Sequence, residues 1–166
     1  GGYTLSGGHT LYRYVDGTPP LNTVFDTDSW NVPVRAGNSY EASAYISSHR
    51  CIVYLIVVFY DSNGNWIQSI DSTQSGAGND LNNGSLNNIT GGNGDLSTYK
   101  RLWVHGAAPA TATQALLVVR AVSDGVSSWP YQFITRPKFS LMAPGQSKVS
   151  DWTPTPPGGA DSRSSS

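Results

Sequence analysis

Between Val34 and Asp61 the chain reads V-R-A-G-N-S-Y-E-A-S-A-Y-I-S-S-H-R-C-I-V-Y-L-I-V-V-F-Y-D. From Tyr40 onward, Tyr40, Ala42, Ala44 and Ile46 alternate with Glu41, Ser43, Tyr45 and Ser47. A period of two describes a strand with one buried and one half-solvated face. Ser47-Ser48 predicts a break. Cys51–Tyr60 is then almost wholly β-branched and aromatic, which disfavours helix and predicts a long buried strand. Asp61-Ser62-Asn63-Gly64 closes it with turn chemistry. A half-solvated strand next to a buried one is part of a sheet, and no catalytic motif lies within either.

The remaining composition points the same way. The 166 residues suit one domain with a short tail. Only 13% are charged, and of eleven acidic residues ten are Asp and one is Glu41. Helix formers are scarce and turn formers abundant, so the fold class is all-β. A net charge of −1 offers no basic field for a phosphate backbone, which argues against a nucleic-acid partner. No apolar run reaches the length of a membrane span, and no signal peptide is visible, so membrane insertion is not expected. The opening Gly1-Gly2-Tyr3-Thr4-Leu5 reads as a cut within a longer polypeptide. Cys51 is the single cysteine. It excludes an internal disulfide and reads as a small buried hydrophobe.

Along the chain, short strand-like pieces fall at Tyr3–Leu5, Thr10–Val15, Thr23–Phe25 and Trp30–Val34. Trp66–Ile70 follows the Asn63-Gly64 turn at hairpin spacing. Residues 72–95 form a Gly/Asn/Ser-rich insertion whose large apolar residues are Leu81, Leu86 and Ile89. That is too few to order a core, so it reads as a flexible excursion or a ligand-contacting loop. Leu96–His105 is a strand with Leu102 and Val104 on one face and Arg101, Trp103 and His105 on the other. In Gln114–Val122, Leu117, Val119 and Ala121 face the core and Arg120 faces outward. Trp129–Leu141 gives one or two strands, interrupted at Arg136-Pro137. The expected organisation is residues 1–33 as N-terminal strands or the remnant of a preceding segment, 34–144 as an antiparallel two-sheet β-sandwich, and 145–166 as a Pro/Gly/Ser-rich exit linker and tail. Pro154, Pro156, Pro157, Gly158 and Gly159 cannot continue a central strand, so truncation after Trp152 is expected to leave the melting temperature nearly unchanged.

The candidate site residues are those whose chemistry suits a sugar. Five Trp and nine Tyr against four Phe is a set of rings with polar handles, and such rings suit half-wet surfaces. Trp66 and Trp129 sit beside turns, Trp103 lies on the polar side of its strand, and Trp30 reads as packed. Arg50, Arg120 and Arg136, each in or beside a strand whose other face is apolar, supply guanidinium forks for hydroxyls or carboxylates. The polar sides of 41–47, 99–105 and 116–122 would unite Tyr45, Trp103, His105 and Arg120 if the sheet order makes those strands neighbours. The plain alternative is that the aromatics are core or edge cover and that the arginines cover an aromatic or pair with Glu41 or an Asp. His49 and Cys51 are two apart and would share a strand face, but no further ligand supports a metal there. Asp26-x-Asp28 would contribute to a calcium site only with ligands the sequence does not supply, so no cofactor or metal is expected. There is no nucleophile, metalloprotease or P-loop motif, and the sole Glu with turn-located Asp residues offers no glycosidase carboxylate pair. The chain does not read as an enzyme.

Six segments together carry a resemblance: V-x-A-G-N-S-Y-E-A-S-A-Y (34–45), H-R-C (49–51), F-Y-D-x-x-G (59–64), Y-K-R (99–101), R-P-K-F (136–139) and A-P-G-Q-S-x-x-S-D-W-T-P (143–154). In this order the chain resembles the carbohydrate-binding-module-like jelly rolls, of galactose-binding-like shape, found in tail tip, fibre and baseplate proteins of tailed bacteriophages. The resemblance covers 34–154. It implies a multimeric virion component outside the cell that binds a host cell-surface glycan and contacts other tail proteins. Many modules of this shape carry a calcium-binding Asp on the last strand, where this chain has Ile134-Thr135-Arg136-Pro137. Two further roles stay open: a purely architectural sandwich of a virion protein, and an accessory module of a bacterial glycoside hydrolase.

Overall fold

The structure, a computed structural model, describes residues 2–5, 8–29, 31–73, 86–87 and 99–152. Trp30, most of the Gly/Asn/Ser insertion and the tail beyond Trp152 lie outside the described residues. The strands are β1 (Gly2–Leu5), β2 (Gly8–Tyr14), β3 (Val24–Asp28), β4 (Val32–Pro33), β5 (Ser39–His49), β6 (Cys51–Tyr60), β7 (Trp66–Asp71), β8 (Leu86–Asn87), β9 (Lys100–Ala107), β10 (Gln114–Ser123) and β11 (Tyr131–Leu141). The first sheet has the order β1-β2-β11-β5-β9. The second has β3-β10-β6-β7, with β4 also on β10 and β8 on β6. Every pairing is antiparallel. The chain is an antiparallel two-sheet β-sandwich, as the alternation predicts.

One core lies between the sheets. Ala42, Ala44 and Ile46 of β5, Leu102 and Val104 of β9, and Ile134 of β11 face Val53, Leu55, Val57 and Phe59 of β6 and Leu117, Val119 and Ala121 of β10. Residues opposite one another across a ladder share a face, so the register fixes the outward set as firmly as the inward one. Burying side chains such as Phe59 and Leu55, each 0% exposed, supplies about 1.5–3 kcal/mol apiece. Cys51, at the start of β6, belongs to this core. Its thiol points at the Tyr131 carbonyl, 3.2 Å away, and burial pushes its pKa up to about 12.

Several sequence expectations need correction. The first sheet's long strand does not break at Ser47-Ser48, because both serines are buried and β5 continues to His49. The chain changes sheet at Arg50 instead, whose φ of 64° takes the left-handed turn. His49 therefore ends a strand of one sheet while Cys51 begins a strand of the other, and they share no face. Along β6 only the inner row is fully buried throughout; Ile52, Tyr54, Val58 and Tyr60 on the outer side are half-buried. Finally, Arg136-Pro137 does not divide the last strand. It is a bulge within β11, where the register with β5 shifts between Thr135 and Lys138 and Arg136 adopts a φ of 53°.

The outer face of β5 is not half-solvated either. Glu41 and Ser43 are each 1% exposed. After the turn at Ala143–Gln146, residues 146–152 run back across this face as a strap. Glu41 accepts hydrogen bonds from the Ser150 amide (3.1 Å), the Ser150 hydroxyl and the Gln146 side-chain amide, and the Lys138 ammonium lies 3.2 Å away. Arg101 donates to the Ser150 carbonyl (2.6 Å) and to the Ser43 hydroxyl (3.0 Å). Burial alone would raise the Glu41 pKa, but the bonds from Ser150, Gln146 and Lys138 outweigh it and hold the carboxyl below the ordinary Glu value. The corresponding stability is complete above that ordinary value and is lost as pH falls through the lower folded one. Glu41→Gln should therefore flatten the acid side of a stability–pH profile measured by chemical denaturation. Truncation after Pro144 removes the strap and should lower the unfolding free energy by on the order of 3 kcal/mol, because the charge-assisted hydrogen bonds from Ser150 and Gln146 to Glu41 are lost.

Candidate functional site

On β2 and β11 the outward residues of the first sheet are aromatic. Tyr12 and Tyr14 alternate on β2, Tyr131 and Phe133 alternate on β11, and the register sets Tyr14 opposite Tyr131 and Tyr12 opposite Phe133. Their rings form a near-parallel series. Tyr131 and Phe133 are 5.6 Å apart at 9°, Tyr14 and Tyr131 5.0 Å apart at 27°, and Tyr12 and Tyr14 6.3 Å apart at 18°. Trp129 joins the end of the row, 5.7 Å from Tyr14 at 26°. These separations are those of offset-stacked aromatic pairs. Trp129 and Tyr14 are 44% and 43% exposed, whereas Phe133 is buried. His49, opposite Tyr131, borders the row. Burial, and then the neighbouring Arg50 charge, hold its imidazole below the usual value, so it is neutral at neutral pH.

Trp129 is placed by its neighbours. Its φ of 57° is unusual for a bulky residue and persists only where surrounding contacts over-determine it. Its amide donates to the Gly17 carbonyl at 2.7 Å, the Val15 amide donates to the Pro130 carbonyl at 3.3 Å, and the Arg50 guanidinium donates to the Ser128 carbonyl at 2.7 Å. Thr18 and Ser128 also share a hydroxyl hydrogen bond. Gly125 supports the same loop. A Cβ there would come within 2.8 Å of Leu21 Cβ, and its φ is 78°.

Of the seven residues singled out from the sequence, the structure gathers five on the first sheet's outer side or its rim, in two groups. Trp129 and Arg50 form one group, with Arg50 holding the loop that carries the ring. Tyr45, Trp103 and His105 form the other. Trp103 and His105 lie opposite Ser43 and Glu41 on β9, half-buried beside the strap anchor, and Tyr45 lies beneath Arg136. Arg120 and Trp66 belong elsewhere. Strand β10 is in the second sheet, so Arg120 faces away from Trp103 across the whole sandwich. It makes a bidentate pair with Asp26 at 3.0 and 2.9 Å. That pair also occupies one of the two carboxylates weighed for calcium, and among the described residues no three His, Cys, Asp or Glu side chains cluster as a metal site. Trp66, 63% exposed, is on the second sheet's outer side opposite Tyr60, with its indole N–H on Ser69 at 2.9 Å.

The aromatic row itself was the missed feature. Tyr12-Arg13-Tyr14 and Tyr131-Gln132-Phe133 each show the i, i+2 signal of a shared face. What the sequence does not show is that strands more than a hundred residues apart pair and merge the two faces.

No family model and no curated protein matches the chain. Among solved structures its course is similar to that of TmCBM61, described in complex with β-1,4-galactotriose, at 13% identity and a TM-score of 0.46, covering 82% of this chain and 73% of that one. It is also similar to the enzymatically active domain of bacteriophage CBA120 tailspike protein 4, at 16% identity and a TM-score of 0.44, covering 80% of this chain and 19% of that one. Identities are low and neither TM-score reaches one half, so no activity passes from either protein to this one. No helix among the described residues is long and apolar enough to cross a membrane.

The two groups should separate in mutants. Trp129→Ala should change the unfolding free energy by less than about 1 kcal/mol, since the ring is half in solvent. Trp103→Ala should lower it by on the order of 2 kcal/mol, a fraction of the loss for a fully buried Trp. Arg120→Ala removes a partly exposed ion pair and should cost about 0.5–1 kcal/mol. Urea denaturation of the three variants tests this order.

Proposed function

We propose that the protein is a glycan-binding module whose site is the aromatic outer face of the first sheet. The observation that carries this reading is the row Trp129–Tyr14–Tyr131–Phe133, fixed by cross-strand stacking and exposed at its Trp129 end. Sugar rings present weakly polar C–H faces edged by hydroxyls. An exposed indole offers an apolar flat surface to the former, and the Tyr hydroxyls and the neutral His49 ring offer donors and acceptors to the latter. Such a face binds without chemistry. The single Glu, Glu41, is engaged by the strap and lies under it. Arg50 then acts by holding Trp129 in place.

In the setting the sequence resemblance implies, the module belongs to a phage tail, outside the cell, and attaches the particle to host surface saccharide. Single aromatic sites of this kind are weak, and several copies on a multimeric tail raise the overall strength by effective concentration. Other tail proteins are then its structural partners. A purely architectural role has one observation in its favour: the second sheet's outer face carries Ile52, Val58, Leu116 and Val122, half-buried, with Val24 and Trp66 exposed at its margins, a surface suited to packing against a neighbour.

A glycan array that includes host-surface polysaccharides and β-1,4-galacto-oligosaccharides decides between these roles. The binding role predicts retention that Trp129→Ala reduces about tenfold or more, that Arg50→Ala weakens without removing a ring, and that Trp66→Ala and Arg120→Ala leave unchanged. A folded wild-type protein that retains no saccharide would leave the architectural role standing.

A further inference from the structure

We infer that the strap supplies the second end of the same binding face, with Trp152 and Arg136 as its contact residues, and that the ligand is an extended chain of several sugars; this rests on the aromatic row being a glycan site. The row does not end at Phe133. Phe133 and Tyr99 are buried together, 6% and 5% exposed, with Tyr45 packed against them. Tyr45 lies opposite Thr135 on the same outer face. The Arg136 guanidinium carbon sits 5.6 Å over the Tyr45 ring centroid and 4.8 Å over that of Trp152. A continuous series of rings and one cation therefore crosses the sheet from Trp129 to Trp152.

The ends of this series are built, and its middle is closed. At one end the loop that holds Trp129 has a left-handed residue; at the other the bulge that aims Arg136 does as well. Ser150, two residues before Trp152, has each of its polar groups engaged by a charged side chain. Its amide and hydroxyl donate to Glu41, its carbonyl accepts from Arg101, and its hydroxyl oxygen accepts from Lys138. These bonds compensate the buried Glu41 carboxylate and, by fixing Ser150, hold Trp152 over the sheet two residues later. Between the ends, Phe133 and Tyr99 have almost no surface to offer. Two stacking points remain, Trp129, 44% exposed, and Trp152, half-buried; Arg136 lies on β11 beyond Tyr131, roughly 15 Å along the strand at the usual rise per residue, farther than one sugar spans. An indole over a guanidinium is also a favourable cation–π arrangement, which holds the Trp152 ring in one orientation for a ligand.

The test is affinity as a function of chain length, measured by calorimetry on the full chain with disaccharide-to-hexasaccharide ladders of β-1,4-galactan, chitin and dextran, together with the ladder of any polysaccharide retained on the array. Wild type should bind the hexasaccharide more tightly than the disaccharide. Trp152→Ala should weaken the hexasaccharide about tenfold and leave the disaccharide unchanged, whereas Trp129→Ala should weaken both. Trp152→Phe keeps a ring over Arg136 and should retain the length dependence, which separates loss of contact from loss of the strap. Equal hexasaccharide affinity in wild type and Trp152→Ala, or no gain with length in wild type, overturns the inference while leaving the binding role intact. If wild type binds no saccharide at all, the binding role falls and this inference with it.

Discussion

The carboxylate of Glu41 divides the outer face of the first sheet. A charged group at 1% exposure in the middle of a strand must be compensated, and here the compensation comes from the chain's own exit segment together with Lys138. Because Glu41 captures Ser150, residues 146–152 cross β5 toward Arg136, and the half of the sheet nearer β9 is covered. Among the described residues, the half made by β2 and β11 shows no such anchor. It carries rings, which need no ionic partner, and Tyr14 and Trp129 among them stay partly in solvent. The covered and open halves meet at Tyr45 and Phe133.

That division explains why residues of similar type have different roles. Trp103 and Trp129 both face outward from the first sheet. Trp103 is beside the Glu41 anchor and is half-buried structure, whereas Trp129 is on a rim loop and keeps its surface. Arg101, at the start of β9, and Arg120, within β10, both have an apolar row behind them. Arg101 is drawn into the strap, and Arg120 is paired with Asp26 on the opposite side of the sandwich. In each case the partner brought by long-range pairing determines the role, and residue type alone does not.

The same distinction marks what the sequence could reveal. Period-two alternation placed the inward residues of β5, β9 and β10 and the outward direction of Arg120, because a strand's faces follow from local geometry. It does not assign a strand to a sheet, so the alternation alone puts Arg120 on the same kind of outward face as Trp103 although β10 lies in the second sheet. Ser47-Ser48 read as a break because two serines resemble a turn, yet small side chains also fit where a sheet is covered on both sides. Ser-Asp-Trp in a segment rich in Pro, Gly and Ser has the composition of a linker, and only the position of Glu41 shows that it docks. The tyrosines of β2 and β11 were readable strand by strand, but the row they form depends on a pairing between residues near opposite ends of the chain.

Cys51 has a practical consequence. Its sulfur is enclosed in the core, and a thiol held near a pKa of about 12 is almost never the reactive thiolate at neutral pH. The folded protein is therefore chemically silent toward thiol reagents without any cysteine having to be removed. A cysteine introduced at an exposed position would be the one that reacts, so a fluorophore, spin label or surface tether can be attached at a chosen point on the native sandwich.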